Sequence, residues 1–189
     1  MSHIIRGHIE PRLKLPTLIA TDGSARYEKR SKSWHTGIGW MGTDGSYGLG
    51  REQAPADMIG RDAAVVAELR AVWYAVRDRV PNRTAVILLD SGHAIHLLRA
   101  WARGELTLPA GYWGGDLRQF ATFVEQHHPL MAWCTVKGHD GNLLNEAADS
   151  LAKIGREWCR GVYTQAQAGE RARRLVEGFM ADDRLAEVA

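Results

Sequence analysis

The sequence predicts an α/β fold: a mixed β-sheet flanked by helices, entered through three antiparallel strands and completed by alternating strands and helices. Three observations carry that expectation. Apolar or β-branched runs bounded by turn residues recur at Thr17–Asp22, Trp34–Met41 and Tyr47–Glu52 before any helical pattern begins. A long apolar helical stretch from Ala63 to about Arg79 then precedes Thr84–Leu89, a near-continuous apolar strand of the kind covered on both faces. From there strand and helix signals alternate, as in sheets whose later strands run parallel and bind ligands at their carboxyl ends.

In chain order, residues 1 to about 15 hold Arg6, Arg12 and Lys14, end at Pro16, and read as a peripheral arm or an added edge segment. The first strand closes in Asp22-Gly23-Ser24, and a polar loop over 25–33 carries Arg26, Lys29, Arg30 and Lys32. Thr43-Asp44-Gly45-Ser46 is a hairpin turn between the second and third strands. Arg61-Asp62 can cap the first helix, and Pro81-Asn82 ends it. Ser91–Arg103 and Asp116–His127 read as helices around an irregular stretch, 104–115. Met131–Val136 is a last strand, 137–141 a loop, and Asn142 to about Trp158 a helix. The tail from Thr164 has helical periodicity at Ala168, Ala172, Leu175, Val176 and Phe179.

The chain of 189 residues is long enough for one domain with a substantial core and short for two. A net charge of +2 permits nucleic-acid binding without demanding it. Cys134 and Cys159 stand in no metal-binding spacing, so packed, reduced thiols are expected. No apolar run approaches the roughly 20 residues of a membrane span, and no apolar leader follows Met1, so the expected location is cytoplasmic.

Four carboxylates stand in unexpected places. Asp22 and Asp90 each end an apolar strand, and they converge if those strands are neighbours. Glu68 interrupts an almost wholly apolar helix, where an ionised side chain needs a partner, water or a cation. Asp149 sits beside the helical stripe of Leu144, Ala148 and Leu151. Clustered carboxylates repel one another unless a cation neutralises them, and oxygen-only ligands favour a hard ion such as Mg²⁺ or Mn²⁺. Two such ions about 3.5–4 Å apart would clamp the attacking and leaving oxygens of a phosphodiester hydrolysis.

These residues resemble the ribonuclease H type 1 family. The matching motifs are Thr21-Asp22-Gly23-Ser24, Ala67-Glu68-Leu69, Asp90-Ser91, and Val136-Lys137-Gly138-His139 continuing through Asn145-Glu146 to Asp149, Leu151 and Ala152. The resemblance implies a five-stranded mixed sheet in a catalytic domain over 15–160, with an N-terminal arm (1–14) and a C-terminal helical extension (161–189). It implies a metal-binding tetrad of Asp22, Glu68, Asp90 and Asp149. Asp22 would be shared by two Mg²⁺ or Mn²⁺ ions, Glu68 and Asp90 would serve the leaving-group ion, and Asp149 the water-activating ion. His139 would assist proton transfer or product release. The implied reaction is cleavage of the RNA strand of RNA·DNA hybrids, leaving a 5′-phosphate and a 3′-hydroxyl. Implied nucleic-acid contacts are Gly23, Ser24, Ser91, Lys137 and Asn145, with Trp101 in a basic, aromatic segment around 99–118 that also holds Tyr112 and Trp113.

The sequence departs from the family where the family reads its substrate. Ala64 and Val65 replace an asparagine pair, Gly92 replaces a glutamine, and the cations Arg26, Lys29, Arg30 and Lys32 replace a glycine-rich first loop. Because the 2′-hydroxyl distinguishes RNA from DNA, two alternatives stay open: a nuclease of the same fold acting on DNA or another structured nucleic acid, and a non-catalytic nucleic-acid-binding module. Oligomeric state is not legible.

Overall fold

The computed structural model describes residues 3–8, 17–54, 58, 60–80, 83–112, 114–138 and 141–182. Its elements are β1 (His3–His8), β2 (Leu18–Glu28), β3 (Ser33–Gly42), β4 (Ser46–Ala54), α1 (Gly60–Val76), β5 (Ala85–Leu89), α2 (Gly92–Ala102), α3 (Gly115–His127), β6 (Met131–Thr135), α4 (Leu143–Cys159) and α5 (Gln165–Met180). Among the described residues the strands form one sheet in the order β1-β4-β3-β2-β5-β6. β1, β4, β3 and β2 pair antiparallel, whereas β2–β5 and β5–β6 pair parallel.

This is the expected mixed sheet with one correction: it has six strands, not five. The segment 3–8 is an edge strand, aligned on β4 from His3↔Arg51 to His8↔Ser46. A second correction concerns 25–33. β2 runs on to Glu28, and β3 matches it residue for residue from Ile19↔Gly42 to Glu28↔Ser33, leaving only 29–32 as the turn. The polar side chains disguise this stretch. Its ladder comes from β3, and its apolar residues, Ala25 and Tyr27, alternate as a strand requires.

That alternation divides the core. Ile19, Ile38, Ile87 and Leu89 face α1, α2 and α3, while Ala20, Met41, Leu49 and Leu88 face α4 and α5. α1 is apolar around most of its surface because the sheet lies on one side and α2 and α3 on the other. α4 lies unusually close to the sheet. A Cβ on Gly39 would stand 2.3 Å from the Ala148 carbonyl oxygen, and one on Gly155 would stand 2.3 Å from that of Gly50. Absent side chains on both surfaces form the slot that fixes the helix carrying Asp149. α5 adds Ala168, Ala172 and Val176 to the same core, and its start is set by a reciprocal capping box between Thr164 and Gln167.

Cys159 is half-buried, its thiol donating to the Glu52 carbonyl at 3.0 Å, but Cys134 is exposed on β6 rather than packed. β6 is an edge strand, so alternate side chains there face outward. Among the described residues no helix is long and apolar enough to cross a membrane.

Candidate active site

β2 and β5 pair only from Leu18↔Val86 to Ala20↔Leu88. β5 then stops at Leu89, while β2 continues beside β3 alone. The fork left between the two parallel strands holds Asp22 on one prong and Asp90 on the other. α1 crosses it and delivers Glu68. Asp22, Glu68 and Asp90 each offer a carboxylate oxygen within 4.8 Å of the others, with Asp22 and Glu68 buried and Asp90 exposed. Asp22 lies within β2 rather than at its end, because β2 continues to Glu28 beside β3, but it does converge with Asp90 at the end of β5, and the helix glutamate joins them.

α1 reaches the fork because Gly23 has no side chain: a Cβ there would stand 2.2 Å from the Glu68 nitrogen. The backbone of Gly23 also hydrogen-bonds the Glu68 carboxyl. Burial pushes Glu68 well above the usual carboxylate range, reinforced by the charges of Asp22 and Asp90. Burial likewise raises Asp22 to about 7, with Asp90 and Asp149 adding repulsion and a hydrogen bond from Glu68 opposing it. Glu68 Oε2 is buried with no hydrogen-bond partner among the described residues. An orphaned buried oxygen among three converging carboxyls fits a hard divalent cation, which would supply the missing partner and favour the ionised forms.

Asp149 approaches from α4 on the other side of Asp22, close enough to hydrogen-bond it, but lies outside the tightest group of three. One of its oxygens is held by Lys153, one turn along the same helix, at 2.6 Å. After β6, the chain passes directly over Asp90: a Cβ on Gly138 would stand 2.9 Å from Asp90 Oδ2. That approach places exposed Lys137 beside the cluster. His139 lies outside the described residues.

The expected substrate contacts divide. Arg26, Lys29, Arg30 and Lys32 are all exposed along the β2–β3 hairpin end. The Ser24 hydroxyl accepts from Arg156 Nη1 at 2.8 Å, tying β2 to α4. Ser91 caps α2, its hydroxyl accepting from the Ala94 nitrogen at 3.2 Å. Two expectations need correction. Trp101 is 1% exposed, packs edge-on against Phe120 and gives its indole N–H to the Thr107 carbonyl, so it is a core residue and no stacking platform. Asn145 is 4% exposed in the first turn of α4, so its amide faces inward; its backbone nitrogen is capped by Asn142.

The aromatic segment around 99–118 turns inward more broadly. Tyr112 is buried, its hydroxyl bonded to Asp116 and to Arg70 Nη2, and Arg70 also pairs with Glu52 and Asp116. Trp113 lies outside the described residues. Of the positions where the sequence departs from the family, Val65 is buried, Ala64 half-buried and Gly92 exposed. The contacts Arg156–Ser24 and Lys153–Asp149 add two residues, Arg156 and Lys153, that the sequence motifs do not mark. The Lys153 spacing of four from Asp149 is a signal that helix periodicity makes available.

A mixed sheet whose parallel strands fork around clustered carboxyls, with one helix across the fork and another beside it, defines a ribonuclease H-like domain. The family model "RNase H" matches residues 15–157, and the chain belongs to that family. Among solved structures it is similar to LC11-RNase H1, isolated from compost by a metagenomic approach. That match has 19% identity and a TM-score of 0.50, covering 78% of this chain and 99% of the other. It is also similar to a foamy viral protease–reverse transcriptase solved in complex with dsDNA, at 17% identity and TM-score 0.55, covering 78% and 98%. Among curated proteins none matches. Family and fold together support nuclease activity on nucleic acid.

Proposed function

We propose that the protein is a metal-dependent endonuclease that hydrolyses the RNA strand of RNA·DNA hybrids, leaving 5′-phosphate and 3′-hydroxyl ends. One observation carries the reading: Asp22, Glu68 and Asp90 bring oxygens within 4.8 Å of one another at a strand fork, where burial and mutual repulsion raise the pKa values of Asp22 and Glu68. A structural role would gain nothing from that repulsion.

Asp22, Glu68 and Asp90 would hold one Mg²⁺ or Mn²⁺ ion, and Asp22 with Asp149 a second. Bound there, the ions would stabilise charge on the scissile phosphate and lower the pKa of the attacking water. The chain's own part is placement. Gly23 lets the Glu68 backbone approach β2, the α4 slot fixes Asp149, and Lys153 holds Asp149 until a stronger cation arrives. Lys137, in the loop that passes over Asp90, would contact the phosphate, His139 would assist proton transfer or product release, and Arg26, Lys29, Arg30 and Lys32 would neutralise phosphates further along the strand.

Ala64, Val65 and Gly92 favour a second reading, in which the same site cuts DNA or another structured nucleic acid, because short apolar side chains there offer no hydrogen bond to a 2′-hydroxyl. Labelled hybrid, duplex DNA and duplex RNA, incubated with Mg²⁺ or Mn²⁺ beside an Asp22→Asn control, decide between them. Hybrid cleavage lost in the control supports the first reading, and cleavage of DNA alone the second. Binding without metal-dependent cleavage of any substrate overturns both.

A further inference from the structure

We propose that the tip of the β2–β3 hairpin is a stacking site for an unpaired nucleobase, by which the domain holds a single-stranded stretch beside the duplex it cuts. The proposal rests on the nuclease reading above. Tyr27 is 40% exposed, a large exposure for an aromatic side chain on a paired strand. It stands opposite Trp34 in the β2–β3 register, ring centroids 5.2 Å apart and planes tilted by 57°. Trp34 is fixed from behind. Its indole N–H donates to the Met58 carbonyl at 3.0 Å, and a Cβ on Gly60 would come within 2.7 Å of its ring. Tyr27 therefore packs at a tilt against an immobilised neighbour while keeping 40% of its surface exposed, which lowers the ordering cost of stacking on it.

The charge around it points to the ligand. Lys29, Arg30 and Lys32 follow Tyr27 in the turn of the hairpin and Arg26 precedes it on the opposite face of β2; all are exposed, and none makes an ion pair among the described residues. Arg70, Arg79, Arg156 and Lys153, by contrast, each have an acid within reach. Unpaired cations at the tip that bears an exposed aromatic ring suit a polyanion that carries π-faces of its own, which is single-stranded nucleic acid. Bases inside a duplex already stack on each other, so only an unpaired or terminal base has a face to offer Tyr27. Tyr27 lies five residues beyond Asp22 on one strand, roughly 17 Å at the rise of a β-strand, and the odd separation puts it on the sheet face of Trp34 and α1, the side from which Glu68 enters the site.

The test compares a blunt hybrid with the same hybrid bearing a single-stranded extension of about six nucleotides. Affinity is measured by fluorescence anisotropy in an Asp22→Asn background, so that no substrate is consumed. Each variant is normalised to its own blunt-hybrid affinity, and thermal melting checks its fold. The extension should tighten binding about tenfold with Tyr27 or Tyr27→Phe, and by no more than about twofold, the share left to the hairpin cations, with Tyr27→Ser. No gain from the extension in the parent protein, or an undiminished gain in Tyr27→Ser, overturns the proposal. So does competition by poly-glutamate as effective as competition by a free single strand, which would make the tip a docking site for acidic protein. Metal-dependent cleavage of the blunt hybrid is read separately with Asp22 intact, so failure of the nuclease reading is distinguishable from failure of this one.

Discussion

Gly23 and Glu68 touch through their backbones: a Cβ on Gly23 would stand 2.2 Å from the Glu68 nitrogen and 2.8 Å from its α-carbon. The glycine after Asp22 thus sets how near the helix glutamate comes to the strand aspartate. Gly23→Ala should push α1 off β2 and destabilise the protein by about 3 kcal/mol. It should also weaken divalent-cation binding, because Glu68 recedes from Asp22 and Asp90. Urea unfolding and Mn²⁺ titration calorimetry measure the two effects. An alanine variant of unchanged stability would mean that the contact relaxes freely.

The raised carboxyl pKa values make the cation-free protein pH-sensitive in a defined direction. Asp22 is raised from 3.8 to about 7, so between these values the folded state binds more protons than the unfolded chain. The corresponding stability is present in full below about pH 4 and is lost as pH rises through about 7. The loss should be on the order of 4 kcal/mol, since each pKa unit is about 1.4 kcal/mol. Melting curves in a chelator should therefore fall across this range, flatten in Asp22→Asn, and recover at pH 7.5 with Mg²⁺ or Mn²⁺. A wild-type curve that rises through the window would refute the burial of these acids.

How much of this was legible depends on the kind of information each residue carries. Asp22, Glu68 and Asp90 are visible because acids that close an apolar run or interrupt an apolar helix contradict their surroundings. The hairpin 25–33 is not, because its strand character comes from pairing with β3 rather than from its own side chains. Gly37 and Gly39 weaken a strand by propensity, and only the packing of α4 shows them as a slot. Trp101 misled for a related reason. An aromatic between arginines reads alike as platform or core, and the distinction lies in Phe120 and the Thr107 carbonyl, distant or irregular in sequence.

The four hairpin cations should set much of the salt dependence of substrate binding. Each phosphate neutralised contributes about 0.7–0.9 to the slope of log affinity against log salt. Replacing Arg26, Lys29, Arg30 and Lys32 together with glutamine should reduce the slope by about 1.5–2.5, allowing for one or two that never reach a phosphate. Anisotropy with uncut hybrid over a salt series measures it, and an unchanged slope would leave the cluster as ordinary solvated surface.

Trp101 separates packing from recognition. Trp101→Ala should cost about 3–5 kcal/mol of stability through the cavity left beside Phe120. Trp101→Phe keeps most of the volume and loses only the bond to Thr107, at a cost of about 1 kcal/mol. Neither should alter hybrid affinity at temperatures where the variant stays folded. A Trp101→Phe protein of full stability that binds hybrid markedly more weakly would restore the residue to the interface.

Lys153 occupies the place of a cation at Asp149, its ammonium 2.6 Å from Oδ2. The Lys153 side chain is 50% exposed, and such pairs are worth about 1 kcal/mol or less. It is therefore a weak occupant, strong enough to orient Asp149 and too weak to exclude a divalent ion. Lys153→Met should tighten the weaker step of Mn²⁺ binding by about threefold, the equivalent of roughly 0.7 kcal/mol, without changing the number of ions bound. The removal of any nearby positive charge would favour a cation, so the decisive comparison is a double-mutant cycle with Asp149→Asn. If Lys153 acts through Asp149, its replacement has no further effect once Asp149 is amidated. An undiminished tightening in the Asp149→Asn background would make Lys153 a remote charge rather than the resident partner of that carboxylate.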